Sequence, residues 1–225
     1  MTSFYRSMLD GLFKLISYAR DGSGFVRPVG LMLSFAFTDE FQSYPISKVM
    51  AKIWSSFSKS KLPKFDRSGN RLRHGRSEVN TFKPEYLWCK ETKYLDAKSS
   101  EFRESLTREE QEWHLRANQD ECPIPYPHYH VAMILDDKKG CWQSIKHVLD
   151  GLVEVGIIRK GFHFSENNTT GVKTLSLKDD AGFEQFFYRA AYLAKSDTKE
   201  LTDNRFWSMT QCKRRVSKPS RRKVK

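Results

Sequence analysis

Apolar residues recur along this chain at the spacings that are typical of helices and of strands. The helical spacing predicts helices over residues 4–19, 46–57, 142–155 and 180–195, and the highly charged stretch 99–118 favours helix as well. Apolar or alternating runs predict strands over residues 29–37, 85–91, 128–135, 162–164 and 172–177. This order of elements predicts an α+β fold in which helices pack mainly on one face of a sheet. We expect a single domain over residues 1–208, with a charged helical insert near residues 92–127.

The balance of charge favours a polyanionic partner. The chain has 39 Lys and Arg against 27 Asp and Glu, a net charge of +12, and phosphate contacts by Lys and Arg dominate affinity for nucleic acids. The charge is clustered in a loop over residues 59–76 and in a basic tail over residues 209–225, which we expect to be disordered in isolation. The loop predicts a hairpin around Ser68-Gly69-Asn70. A solvated surface loop would explain its charge as well as a role in contacting phosphates does. The residues predicted to contact DNA are Lys64, Arg67, Arg71, Arg73, Arg76, Lys213, Arg214 and Arg215.

Cysteine spacing and the lack of long apolar segments predict a cytoplasmic protein. The 4 cysteines contain no CxxC pair, and reduced thiols are the simplest interpretation of that pattern. The first residues lack the architecture of a signal peptide. No stretch approaches the roughly 18 uninterrupted apolar residues of a membrane span.

Two histidines open the strand predicted over residues 128–135. In His128-Tyr129-His130 the imidazoles are two positions apart, and side chains at i and i+2 share one face of a strand. The two rings can therefore hold one divalent metal ion, although buried structural histidines with polar partners would explain the pair as well. No cysteine pair accompanies them, which disfavours a structural zinc site. Two imidazoles, one carboxylate and open positions suit Mg²⁺ or Mn²⁺ acting on phosphate oxygens.

Several carboxylates are available to complete that metal site. Glu91 ends a predicted strand that could neighbour the histidine strand. Asp120 and Glu121 are closer in sequence but precede a proline-rich segment. We favour Glu91, although an ordinary surface charge would explain that residue as well.

The helix predicted over residues 180–195 has a core face and an adjacent face with polar groups. Its phenylalanines and alanines form an apolar stripe, and Tyr188, Tyr192 and Lys195 fall in a sector beside that stripe, because residues at i, i+4 and i+7 are neighbours. A phenol has a pKa of about 10, so a nearby ammonium helps by favouring the phenolate and by stabilising charge on a phosphate. Together with a metal ion, these groups are suited to cutting a nucleic-acid strand through a covalent phosphotyrosine. Tyrosines also flank amphipathic helices by chance.

These residues resemble the HUH endonucleases, in which a bulky hydrophobic residue separates two histidines. The chain is more closely similar to the prophage YagK–YfjJ C-terminal-domain family, which is related to the replication initiators of filamentous phages (inoviruses). The resemblance covers residues 86–208, and the stretch between its first two motifs is longer than the family pattern. The matching segments are Tyr86-Leu87-Trp88-Cys89-Lys90-Glu91, Pro127-His128-Tyr129-His130-Val131, Gly161-Phe162-His163-Phe164, Tyr192-Leu193-Ala194-Lys195-Ser196-Asp197-Thr198-Lys199 and Arg205-Phe206-Trp207-Ser208.

The resemblance implies an antiparallel sheet and an enzyme that nicks one DNA strand at a replication origin. Such an enzyme starts rolling-circle replication of a phage, prophage or plasmid. His128 and His130 would be the metal ligands, Tyr192 the nucleophile and Lys195 its partner, with Tyr188 either a second nucleophile or a packing residue. The sequence contains no P-loop, so a helicase of the host would separate the strands.

Two other functions are compatible with the sequence. A relative could keep the fold and the basic surface and act as a non-catalytic, DNA-binding regulator of a mobile element. A two-histidine phosphoesterase is a third alternative, because His163-Phe164-Ser165 fits one motif of that class. No second copy of the motif lies at a suitable distance, so His163 is better explained as a strand histidine near the sheet.

Overall fold

The computed structural model describes eleven segments of the chain, which are residues 5–21, 25–58, 64–65, 71–72, 84–95, 100–106, 108–117, 124–136, 141–166, 171–195 and 206–210. The helices in these segments are α1 (Arg6–Asp21), α2 (Ile46–Ser58), α3 (Ser100–Ser105), α4 (Arg108–Ala117), α5 (Cys141–Glu154) and α6 (Asp180–Ala191). Their strands are β1 (Pro28–Phe35), β2 (Lys64–Phe65), β3 (Arg71–Leu72), β4 (Glu85–Leu95), β5 (Ile124–Asp136), β6 (His163–Phe164), β7 (Thr174–Ser176) and β8 (Trp207–Met209). Two 3₁₀ turns, Asp39–Phe41 and Tyr192–Ala194, complete the regular structure of those segments.

An antiparallel sheet is the centre of the described part of the chain. Its strands follow the order β6-β1-β5-β4-β8, with β7 pairing β1, so six strands contribute. All of these pairings are antiparallel. The longest strand pairing joins β4 to β5 and runs from Glu85↔Ile134 to Leu95↔Ile124. The α+β fold class and the antiparallel sheet are therefore confirmed.

Helices cover both faces of this sheet, which corrects the prediction that they lie mainly on one face. Alternation along β1 and β5 sends Leu31 and Met133 to one side, where α2 and α5 complete a core. Met32 and Ala132 point to the other side and pack in a core with α1 and α6. Strands that are apolar at consecutive positions are buried on both faces, so each face needs a helical layer. We call these sides the α2–α5 face and the α1–α6 face.

One glycine sets how closely α6 approaches the sheet. Gly30 lies in β1, and a Cβ atom at that position would collide with the ring of Phe186 on α6. The first turn of α6 is capped by Asp179, whose carboxylate accepts a hydrogen bond from the Gly182 amide at 2.7 Å. The capped N-terminus and the close packing of the Phe186 ring on the Gly30 backbone fix the position of α6 on the α1–α6 face.

Most predicted elements are confirmed, although several have different boundaries. The helix predicted over 180–195 stops at Ala191 and continues as the 3₁₀ turn Tyr192–Ala194. The histidine strand begins at Ile124, earlier than predicted, because its proline-rich start is extended and pairs with the end of β4. The stretch 99–118 forms two helices rather than one. Strand β8 was not predicted, since three residues carry too little periodicity.

The charged insert is less exposed than the sequence predicts. Leu106, between α3 and α4, is buried against Leu95 at the end of β4, and Tyr126 packs beside them. Glu110 on α4 has a side chain that is only 14 % exposed, since it pairs with Arg159. The two helices therefore pack against the extended end of the β4–β5 pair.

The predicted basic hairpin is represented by β2 and β3, which pair antiparallel through Lys64↔Leu72 and Phe65↔Arg71. The other predicted DNA contacts (Arg67, Arg73, Arg76, Lys213, Arg214 and Arg215) lie outside the described residues, as do Asp120 and Glu121. Within the segments that are described, no helix is both long enough and apolar enough to cross a bilayer.

Candidate metal centre and tyrosine turn

The pairing of β4 with β5 brings together a carboxylate and two imidazoles. Glu91 pairs directly with His128, and His130 pairs with Cys89, so the three chemically active side chains share one face. Because Cys89 belongs to the core beneath α1 and α6, this is the α1–α6 face. Glu91 was the carboxylate favoured from the sequence, and the structure places it beside the histidines. We call Glu91, His128 and His130 the triad.

The triad is compact and largely withdrawn from solvent. One ligand atom from each residue lies within 4.8 Å of the others. The Glu91 Oε2 atom is 3.4 Å from His130 Nε2 and 3.9 Å from His128 Nε2. The Glu91 side chain is 5 % exposed and that of His130 is 24 % exposed. His130 is therefore the most exposed side chain of the triad.

Burial and a backbone contact prepare His128 for coordination. Removal from water, followed by the neighbouring His130, lowers the pKa of His128 to about 4, although the Tyr126 carbonyl and Glu91 act in the opposite direction. His128 is therefore neutral at pH 7, which a metal ligand must be. Its Nδ1 atom lies 3.3 Å from Tyr126 O. A carbonyl oxygen only accepts, so this contact places the proton on Nδ1 and leaves the Nε2 lone pair for a metal ion.

The donor set fits a divalent cation. Ligands that lie about 2.1 Å from an ion are about 3.0–3.4 Å from one another. The 3.4 Å between Glu91 and His130 already falls in that range, and the 3.9 Å between Glu91 and His128 would shorten by about 0.5 Å. Two imidazoles and a carboxylate suit Mn²⁺ well, and Mg²⁺ with additional oxygen ligands. Of the residues that the structure describes, these three form the cluster with the spacing of a metal site.

The 3₁₀ turn Tyr192–Ala194, which we call the tyrosine turn, follows α6 on the same face of the sheet as the triad. Leu193 and Ala194 are buried in the core that also contains Cys89, whereas Tyr192 is 52 % exposed. Lys195 donates its backbone N–H to Tyr192 O at 3.1 Å, which closes the 3₁₀ turn. Residues three apart in a 3₁₀ turn project to the same side. Tyr192 and Lys195 are therefore brought together, as the sequence predicted.

The contact between these two side chains joins a cation to an aromatic ring. The Lys195 Nζ atom lies over the ring of Tyr192, 5.6 Å from its centroid. Residues three apart eclipse one another in a 3₁₀ turn, so the lysine lies over the tyrosine instead of being offset from it as in an α-helix. The ammonium therefore lies next to an exposed phenol.

A short series of contacts joins the tyrosine turn to the strand that carries Glu91. Ala194 O accepts a hydrogen bond from Tyr5 N at 2.8 Å, and the Tyr5 ring lies 4.9 Å from that of Phe206. Phe206 O in turn accepts a hydrogen bond from Lys90 N at 2.7 Å. Lys90 directly precedes Glu91, so the turn lies on the β4–β8 side of the triad.

Tyr188 is further from this arrangement. It is 74 % exposed and lies one turn before the end of α6. Together with Arg189 it borders a shallow groove of about 750 Å³ between α6 and β7, which includes no member of the triad. The structure thus separates the environments of the two tyrosines.

Two residues near the triad were not identified from the sequence. The Tyr126 carbonyl contacts His128, and Arg159 lies over the Tyr126 ring. A backbone oxygen leaves no signal in the sequence, and an arginine one strand and one helix away carries no motif. Only the proline-rich segment before His128 hinted that this end of the strand is extended.

No protein-family model matches the chain, and no curated protein or solved structure matches it either. The functional interpretation therefore rests on the geometry and chemistry of the site.

Proposed function

We propose that this protein is a metal-dependent single-strand DNA endonuclease and strand transferase that forms a covalent bond between DNA and Tyr192. We further propose that it starts rolling-circle replication of a phage, prophage or plasmid. The observation that carries the proposal is the position of the triad and the tyrosine turn on one face of one sheet. A buried metal-type cluster and an exposed phenol on one sheet face are the groups that this reaction needs.

The triad would hold the cation through Nε2 of each histidine and a carboxylate oxygen of Glu91. A divalent cation in this position supplies Lewis-acid chemistry, since it polarises the phosphate oxygens of a bound strand. The residues around it keep His128 neutral and oriented, and the partly open His130 side admits the phosphate.

Tyr192 would supply the attacking oxygen. Its oxygen forms a bond to phosphorus while the bond from phosphorus to the oxygen of the adjacent nucleotide breaks. The phenol proton is lost, and the departing oxygen gains a proton to become a free hydroxyl end. The phosphotyrosine keeps the energy of the broken ester bond, so a later hydroxyl end can reverse the reaction and rejoin the strand.

Lys195 would assist through its charge. An ammonium next to the phenol favours the phenolate and stabilises negative charge that develops on the phosphate. The net charge of +12 supports binding of a polyanion. A helicase of the host is the partner proposed for strand separation.

The first test is cleavage of labelled single-stranded DNA with Mn²⁺, followed by a denaturing gel. We expect a nicked product and a protein–DNA adduct, and we expect both to be lost on treatment with EDTA. His128→Ala combined with His130→Ala should abolish both products without unfolding the protein. His147→Ala is the matched control, because His147 is exposed on α5.

Each result of this test has a clear meaning. Nicking that survives both EDTA and the double substitution would exclude the metal role of the triad. DNA binding without any adduct in the unmodified protein would instead favour the non-catalytic regulator.

A further inference from the structure

A buried arginine lies next to the metal centre and has three polar partners. The Arg159 side chain is 3 % exposed. Its Nε donates to Phe37 O at 3.0 Å, its Nη2 donates to the Asp39 carboxylate at 2.8 Å, and its Nη1 donates to Glu110. A buried charge is tolerated only when it is paired and hydrogen-bonded, and two carboxylates meet that requirement here.

The partners of Arg159 come from separate parts of the chain. Asp39 lies in the 3₁₀ turn that follows β1, and Glu110 lies on α4 of the charged insert. The Arg159 backbone is also held, since its N–H donates to Ala36 O at 2.9 Å. The guanidinium therefore ties the insert to the end of β1 and has little freedom to move.

One aromatic ring connects this guanidinium to the triad. The Arg159 Cζ atom lies 5.5 Å from the ring centroid of Tyr126. That ring is stacked on His128, with centroids 6.1 Å apart and planes at 23°. The carbonyl of the same tyrosine contacts His128 Nδ1 at 3.3 Å. Tyr126 thus contacts His128 through its ring and through its carbonyl, and Arg159 contacts the same ring.

We propose that Arg159 is a positioning residue for the metal centre, which acts through Tyr126 on His128. By fixing Tyr126, it keeps the carbonyl against Nδ1, and this contact selects the tautomer that presents Nε2 to the metal ion. The inference rests on the proposed metal site. It makes α4 a functional part of that site, because Glu110 on α4 holds Arg159 in place.

A second arginine provides a matched control. Arg20 on α1 pairs with Asp180 at 2.7 Å, and its Cζ lies 5.5 Å from the Phe183 ring centroid. It therefore combines the same two kinds of contact at similar distances. Arg20→Gln therefore removes an ion pair and a ring contact of the same two kinds at a more exposed site, where the Arg20 side chain is 30 % exposed.

The experiment uses the full chain and two measurements. Mn²⁺ affinity is measured by titration calorimetry, and the imidazole ¹⁵N chemical shifts of the metal-free protein report the tautomer of each histidine. We expect Arg159→Gln and Tyr126→Leu to lower Mn²⁺ affinity on the order of 10-fold, which is typical for groups that orient a ligand. Both variants should also give a mixed tautomer at His128. Arg20→Gln should change neither quantity, and Tyr126→Phe, which keeps the ring and the carbonyl, should retain the affinity.

The variants also separate positioning from stability. If Arg159→Gln does not fold, Tyr126→Leu still removes the ring that transmits its effect. If both fold, the double variant should bind Mn²⁺ no more weakly than the weaker single variant, because both changes interrupt one route. Folded variants with unchanged affinity and an unchanged His128 tautomer would overturn the inference. Failure of the unmodified protein to bind Mn²⁺ would overturn the proposed function instead, and the tautomer measurement would still decide the role of Arg159.

Discussion

The two parts of the proposed site are supported in different ways. The triad lies on β4 and β5, where eleven consecutive residue pairs fix the register, and Glu91 and His128 are buried. Tyr192 lies in a single 3₁₀ turn at the end of α6, and half of its surface is exposed. A metal centre needs fixed distances between its ligands, whereas a nucleophile that receives and later releases a DNA strand needs access. In the proposed function, the rigid element would hold the cation and the helix end would supply the nucleophile.

The largest effect is expected from removal of the nucleophilic oxygen. Tyr192→Phe keeps the ring under Lys195, so packing is retained, and we expect adduct formation to fall by at least about 1,000-fold. Tyr188→Phe is the matched change one turn earlier, and it should retain first-strand cleavage. Peptide mapping of the trapped adduct measures the outcome. DNA attached to Tyr188 alone would reverse the assignment of the two tyrosines.

The next effect concerns the rigid part of the site. Glu91→Gln replaces a charged ligand by a neutral amide, and since even groups behind the ligands change affinity 10–100-fold, we expect Mn²⁺ affinity to fall by at least about 100-fold. Glu85→Gln is the control, because Glu85 is also buried and lies on the same strand and face. Calorimetric titration with Mn²⁺ measures the affinity of each variant. Equal losses in both variants would show that the effect comes from general charge in β4.

The lowered pKa of His128 predicts a dependence of stability on pH. The unfolded histidine has a pKa of about 6.5, and the folded value is about 4, so protons bind the unfolded chain more readily. Protonation of His128 therefore does not reduce the free energy of unfolding above about pH 6.5, and it reduces that free energy progressively as the pH drops towards 4. At about pH 5 the loss from this residue is roughly 2 kcal/mol.

Urea unfolding of the metal-free protein at about pH 7.5 and about pH 5 measures that loss. His128→Gln should remove this loss of stability, since glutamine does not titrate. His147 is exposed on α5, and His147→Gln should keep the pH dependence. A His128→Gln protein that loses as much stability as the unmodified one would show that His128 is protonated normally in the folded state.

The sequence predicted the triad well because its geometry depends on alternation alone. Residues 128 and 130 must share a face in any strand, and Glu91 needed only one correct strand pairing. The tyrosine turn was harder to predict, since the change from α-helix to 3₁₀ turn at Tyr192 depends on how Leu193 and Ala194 pack in the core. The contacts of Arg159 were not predictable, because they join four segments that meet only in the folded protein. The second helical layer was visible in the doubly apolar strands but was not inferred.

The smallest expected effect separates the two regions most cleanly. Gly30→Ala adds a Cβ that collides with the Phe186 ring, and overpacking of this kind costs about 1–3 kcal/mol. The displacement acts on α6, which carries the tyrosine turn, and leaves the β4–β5 register unchanged. We therefore expect slower adduct formation with normal Mn²⁺ affinity.

Gly151→Ala is the control, since nothing lies within 4 Å of the added atom and the residue is inside helix α5, where alanine stabilises by about 0.5–1 kcal/mol. Adding Phe186→Leu to Gly30→Ala should restore part of the rate. If Mn²⁺ affinity falls together with the rate in Gly30→Ala, the two regions are mechanically coupled and the separation drawn between them is wrong.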